Sequence, residues 1–298
     1  PTSGSNSSLT IGKRVNGLSA KSKDCLNLRR DVLDDTSMNI TDILGKIQYR
    51  IALAGGWIDQ PFLSKLNPTP PGSMVVVAIE PQFRWMDRAG ICGSTRSIAL
   101  ELWGGDLPDE DPDKLVRVLY EEENKGKPDP SGSQDMIGIV YPGISRLDYD
   151  YEYEGGYFTK HIESCNDPDV TEWLEQHLYV LPVNMRPDGY HPLGRKNFDP
   201  QWISRLGQSG KSCYDAIVNR DLSVLGASLN ECMLCWQTLL PDTVEHPTIK
   251  FDLIELLHFY QDKYAGAMYS GCGGGYLYVA SDKPVPGGFL IKVKVHQT

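Results

Sequence analysis

Four glycines in five residues, Gly271-Cys272-Gly273-Gly274-Gly275, stand between Ser270 and the apolar run YLYVA. A run of that kind lets backbone approach a ligand closely or adopt positive φ, whereas a tight helix-to-strand turn needs one or two glycines. A second segment, Gly90-Ile-Cys-Gly-Ser-Thr-Arg96, leads from glycines and hydroxyls into a helical pattern that stops at Gly104-Gly105. A loop of this type at a helix N-terminus offers unpaired N–H donors and the positive end of the helix dipole to a phosphate. No lysine stands at the spacing of a Walker loop, and Ser94 or Thr95 as a simple N-cap reads equally well. A third segment, Ser131-Gly-Ser-Gln-Asp135, sets an acid in a Gly/Ser loop before an apolar stretch, where in isolation it reads as a cap. A fourth, RIALAGGWID from Arg50 to Asp59, brackets Gly55-Gly56 with a cation and an acid, which alone reads as an ion pair at a sheet edge.

The elements that must position these residues follow from pattern. A strand is expected over 47–54, ending in Gly55-Gly56, and a second over 74–80, whose valines suit burial on both faces. Asp111 is placed to cap a helix with Pro112 in its first turn and Leu115, Val118 and Leu119 on its apolar face, broken at Gly126. Residues 136–141 read as a short buried helix or strand, and 149–161 as a hairpin turning at Gly155-Gly156. A strand over 177–183 opens a mostly helical stretch to about 265, and the chain returns to strands at 276–280 and 289–295. Strands and helices mix without a strict alternation, which predicts an α+β fold of two lobes joined near 165–176. There is no internal repeat.

Composition narrows the function. A chain of 298 residues can bury a sizeable core, and its net charge of −10 lacks the basic footprint of a nucleic-acid binder. No apolar run reaches the ~20 residues of a membrane helix, so neither nucleic acid nor membrane is an expected partner. Seven cysteines, an odd number scattered along a long chain, suit a reduced, cytoplasmic protein. Cys232 and Cys235 lie on the apolar stripe of a helix over 222–240, shared with Leu225, Leu229 and Trp236, so a core role is expected rather than redox or metal chemistry. The six histidines, His161, His177, His191, His246, His258 and His296, show no ligand spacing. The loop NMRPDGYHPLGR, 184–195, reads as a surface loop, with substrate binding as the other reading.

Together and in this order, the four glycine- and acid-bearing segments resemble the GHMP small-molecule kinases, the superfamily of galactokinase, homoserine kinase, mevalonate kinase and phosphomevalonate kinase. YSGCGGGYLYV is similar to the family's C-terminal glycine motif, GICGSTRS to its phosphate loop, RIALAGGWID to its N-terminal motif and SGSQD to the loop carrying the catalytic acid. The heptose-phosphate and fucose kinase branch is the nearest in flavour. The resemblance implies a two-lobed fold, a ribosomal-protein-S5-like lobe over 26–170 and a ferredoxin-like lobe over 171–298, behind a lead-in at 1–25. It further implies ATP and Mg2+ as cofactors and a sugar or polyol substrate, phosphorylated most naturally at the anomeric hydroxyl.

Carried over by matching position, Asp135 and Arg50 become the catalytic pair, and Gly90, Gly93, Ser94, Thr95 and Arg96 wrap the ATP phosphates. Asp59 with Gly271, Gly273, Gly274 and Gly275 binds substrate, and Ser94 and Glu121 hold magnesium, Glu121 being favoured within the run Glu121-Glu122-Glu123. The sequence departs from the family pattern at Cys92, at the bulky Arg96 and at Met268, which stands where the family has a lysine. Those departures motivate a second reading, a weakly active or inactive sensor or regulatory subunit that binds ATP and sugar. The polar start without a methionine motivates a third, the kinase half of a chain fused or partnered with a nucleotidylyltransferase.

Overall fold

The computed structural model describes residues 40–295; the lead-in at 1–25, the start of the first lobe at 26–39 and His296 lie outside them. Two four-stranded antiparallel sheets form the frame. The first has the order β1 (Tyr49–Ala52), β2 (Gly72–Ile79), β3 (Ile144–Tyr149) and β4 (His161–Cys165). Every residue of β1 and β2 is buried, as the valine-rich pattern requires of strands covered on both faces. Between β2 and β3 the chain forms α1 (Gly93–Trp103), α2 (Pro112–Asn124) and α3 (Gln134–Val140). Asp111 caps α2 by accepting from the Asp113 amide, with Pro112 at the first helical position, as the sequence predicts.

After β4 come α4 (Pro168–His177) and β5 (Leu178–Asn184), then the helices α5 (Pro200–Val218), α6 (Leu222–Leu239) and α7 (Leu253–Lys263). The second sheet adds β6 (Gly266–Gly271), β7 (Gly274–Ala280) and the short β8 (Phe289–Leu290), in the order β6-β7-β5-β8. Two expectations need correction. The hairpin read over 149–161 is the connection between β3 and β4, a loop with one 3-10 turn, rather than the strands themselves. The glycine run is a strand-to-strand turn rather than a helix-to-strand turn, because β6 precedes it; Gly266 and Ala267 hid that strand by diluting its apolar pattern.

The antiparallel helices α5 and α6 pack together and cover both sheets, α5 on β2 and α6 on β6. Glycines permit the close approach. A Cβ on Gly210 would overlap the carbonyl oxygen of Ser73 in β2, and one on Gly226 the carbonyl of Ala265 before β6. Leu225, Leu229, Cys232 and Leu239 fill the layer, and all six described cysteines are free thiols. Burial pushes the Cys232 thiol up to about 12, and its sulfur accepts from the Gly55 amide at 3.3 Å. The Cys-x-x-Cys is therefore core, as its helical register predicts. Gly210→Ala is expected to cost about 1–3 kcal/mol by overpacking the α5–β2 contact, lowering the melting temperature by ~2–4 °C per kcal/mol. A thermal melt checks it.

Candidate active site

The four segments converge on one cavity of about 610 Å³. Its wall carries Arg50 of β1, Asp59 and Trp57 from the turn after it, Ser94 of α1 and Asp135 of α3. Ser270 and Gly271 at the end of β6 complete that wall. The Gly55-Gly56 turn is held from beneath by α6, where Trp236 Nε1 donates to the Gly56 carbonyl at 3.1 Å. Trp57 follows at φ 82°, an unusual conformation for a bulky residue, and its ring packs on Phe62 and, through it, Phe198.

At the centre, the guanidinium of Arg50, 5% exposed, contacts Oδ1 of Asp135 at the first turn of α3. Gly138, one turn along α3, clears the path, because a Cβ there would overlap Arg50 Cγ. Asp59 is 1% exposed; Oδ2 accepts from Gln60 at 3.2 Å while Oδ1 has no partner. Desolvation raises its pKa to about 6, against the opposing pull of Gln60 and Arg50. Gly132 gives the acid loop its room, since a Cβ there would lie 2.5 Å from both the carbonyl and Oδ2 of Asp59. Gln134 Oε1 is a second buried acceptor without a donor.

Beside the Arg50–Asp135 pair, α1 follows its N-cap Cys92, whose φ of 61° is left-handed, whose side chain makes no cap hydrogen bond and whose thiol lies 3.6 Å from the Asp135 carbonyl. Its first turn contains no acid, so its amides and dipole favour an anion. Gly93 has open space around its Cα, and Ser94 and Ser97 line the cavity. The preceding loop is stitched to the second sheet by Ser270 Oγ, which donates to the Ala89 carbonyl at 2.6 Å and accepts from the Tyr276 amide at 2.8 Å.

No protein-family description matches the sequence, and no curated protein does. Solved structures do. A mevalonate kinase superposes at a TM-score of 0.52 with 9% identity, covering 85% of this chain and 99% of that one. A D-glycero-D-manno-heptose 1-phosphate kinase from Bacteroides thetaiotaomicron gives 0.50 and 11%, covering 84% and 95%. This chain has the GHMP-kinase fold.

Against the site expected of that fold, Arg50, Asp135, Asp59, Gly90, Gly93, Ser94 and Gly271 all line the cavity. Arg96 and Thr95 do not. Arg96 turns away beneath α1, donating to the carbonyls of Ile47 at 2.8 Å and Leu44 at 2.6 Å and stacking on Tyr49, while Thr95 is fully buried. A guanidinium that satisfies a strand entrance is structural, which corrects the phosphate role assigned to it. Gly273, Gly274 and Gly275 are also outside the cavity lining; Cβ atoms there would meet Tyr190, Asn184 and the Ala89 carbonyl. Their positive φ values, 76°, 102° and 88°, set the turn between β6 and β7, in which Gly275 packs against the Ala89 carbonyl.

Glu121 is corrected too. It is solvent-exposed, whereas Glu123 shares the buried face of α2 with Leu115 and Leu119, at four-residue intervals. Glu123 Oε2 is buried without a hydrogen-bond partner while Oε1 faces Lys127 Nζ at 3.6 Å; burial pushes the Cys92 thiol up to about 11, with the Glu123 charge a smaller contribution. Helical phase alone could have chosen Glu123. Met268 is buried in β6, so the position that bears the family's lysine faces the core. Trp57, Gln60, Gln134, Ser97 and Arg88 of the cavity wall are not singled out by the sequence, and 184–195, read as a surface loop in preference to substrate binding, contributes Arg186 and Pro192 to the lining.

The Asp59 carboxyl ties stability to pH. Because its folded pKa lies above the ordinary 3.8, the folded state holds a proton that the unfolded state releases between pH 4 and 6, and stability falls across that window. Asp59→Asn is expected to stabilise the fold by about 1–3 kcal/mol at pH 7.5 and to have almost no effect near pH 4. Paired melts at the two pH values check it.

Proposed function

We propose that the protein is an ATP-dependent kinase that phosphorylates a hydroxyl of a sugar or similar polyol. One observation carries this reading: the acid-free N-terminus of α1 and the Arg50–Asp135 pair line a single cavity side by side. Phosphoryl transfer needs positioning and charge neutralisation more than covalent help, and these are the groups that supply them. Asp135 is the base that orients the acceptor hydroxyl and takes its proton, and Arg50 offsets the charge around it. Two buried acceptors without donors, Asp59 Oδ1 and Gln134 Oε1, call for a ligand rich in hydroxyl donors, beside the indole of Trp57. The anomeric hydroxyl is the favoured acceptor.

The residues fit a nucleotide with magnesium. The amides at Gly93 and Ser94 would hold its phosphates, and a metal arriving with them would find the Ser94 hydroxyl at the cavity wall, with Glu123 Oε2, whose carboxylate is otherwise paired through Oε1 with Lys127, as the nearest candidate acid on α2. Bound there, ATP supplies the phosphoryl group and magnesium neutralises its charge. Among the described residues no cluster of three metal-ligating side chains exists, which suits a cation carried mainly by substrate phosphates.

ADP release measured with Mg-ATP across free and phosphorylated sugars tests the proposal. Asp135→Asn is expected to lower kcat by ~10²–10⁴-fold on the active substrate while leaving nucleotide binding in place. Nucleotide and sugar binding without turnover on any acceptor would instead favour the sensor reading, which the buried Met268 supports.

A further inference from the structure

We infer that Arg186, in the loop after β5, is an anion-binding residue of this cavity that grips phosphate oxygens beside Gly271; the assignment rests on the kinase reading. Three arginines line the cavity: Arg50, Arg88 and Arg186. Arg50 is matched by Asp135, and Arg88 by Asp188 together with the Pro187 carbonyl, which it reaches at 2.7 Å. Arg186 differs. Among the described residues no carboxylate is in ion-pair contact with it, although the chain as a whole is acidic.

Its guanidinium is nevertheless held in place. Nε donates to the Cys272 carbonyl at 3.0 Å, the group lies over the Tyr190 ring at 5.7 Å from its centre, and the Arg186 amide donates to the Arg88 carbonyl at 3.3 Å. One edge of the fork is thus fixed to backbone, leaving the terminal nitrogens beside the cavity. Nη2 would be 3.5 Å from a Cβ on Gly271, and Gly271 itself backs onto Gly90 of the phosphate loop. A fixed, planar, uncompensated guanidinium at that spot suits phosphate oxygens, to which it donates in pairs. It also supplies the cation missing from the loop, where Arg96 is committed to backbone carbonyls.

The phosphate has two candidate sources, the polyphosphate of the nucleotide and a phosphate already on the acceptor, and one experiment separates them. Calorimetry on the full chain would compare the parent protein, Arg186→Ala and Arg186→Lys with ATP, adenosine, inorganic tripolyphosphate and the sugar phosphates of the panel. In Arg186→Ala, affinity for ATP and tripolyphosphate is expected to fall about 10- to 100-fold with adenosine unchanged, and lysine to restore part of it. A fall confined to a sugar phosphate would uphold the anion site and assign it to the acceptor. Unchanged affinity for every phosphate ligand in a folded Arg186→Ala protein would overturn the inference. If the alanine variant does not fold, Arg186→Lys decides, because losing the paired geometry should still weaken phosphate binding several-fold, and no change would overturn it. Tripolyphosphate binding that depends on Arg186 in a protein that ignores ATP would uphold the arginine and sink the kinase reading.

Discussion

A buried arginine has to be answered, and much of this cavity is organised around answering Arg50. Its guanidinium sits at 5% exposure on a strand whose every residue is buried, where an unmatched cation would cost several kcal/mol. Asp135 supplies the countercharge, and that fixes where α3 must begin. Gly138 follows from the same requirement, because any side chain there would occupy the path of the arginine. Asp59 lies within reach of the same positive charge, which tempers a desolvation that still leaves its carboxyl at about 6. The pair is thus a structural necessity of β1 and, at the cavity wall, the polar centre that a reaction could use.

The second organising constraint is mechanical. The loop before α1, which borders the cavity, is braced by the second sheet. Ser270 links Ala89 to Tyr276, Tyr276 Oη accepts from the Met86 amide at 2.8 Å, and Gly271 lies against Gly90. Of the four glycines at 271–275, Gly271 and Gly275 meet this loop at Gly90 and Ala89, while Gly273 and Gly274 pack on Tyr190 and Asn184. Cavity-lining groups therefore come from both sheets, joined by the α5–α6 layer whose Cys232 and Trp236 hold the Gly55-Gly56 turn.

Much of the fold was legible because it rests on local rules. Apolar periodicity marked β2 and α6, and Asp111-Pro112 marked the start of α2. β6 escaped, since a strand of Gly, Ala, Met, Tyr and Ser carries little pattern of its own and is specified by its pairing with β7. Asp135, Asp59 and Ser94, which read locally as caps or an edge ion pair and are singled out by the resemblance of the motif order, do line the cavity. Placements that depend on which way a side chain leaves the backbone were not legible. Arg96 and Ser94 are two residues apart on one helix, so they face different surroundings, and only packing decides which meets the cavity.

The sequence by itself determined the GHMP-like order of motifs, the α+β class, the cavity acids and the reading of Cys232 and Cys235 as core. These depend on residue type and spacing along the chain, which the sequence states directly. Only the tertiary structure decided that Arg96 belongs to the frame and Arg186 to the cavity, and that the glycine run is a turn between two paired strands. Each of those choices depends on which distant backbone lies nearby, on Ile47 under Arg96 and on Cys272 beside Arg186. Such contacts between residues dozens of positions apart have no signature in either segment alone.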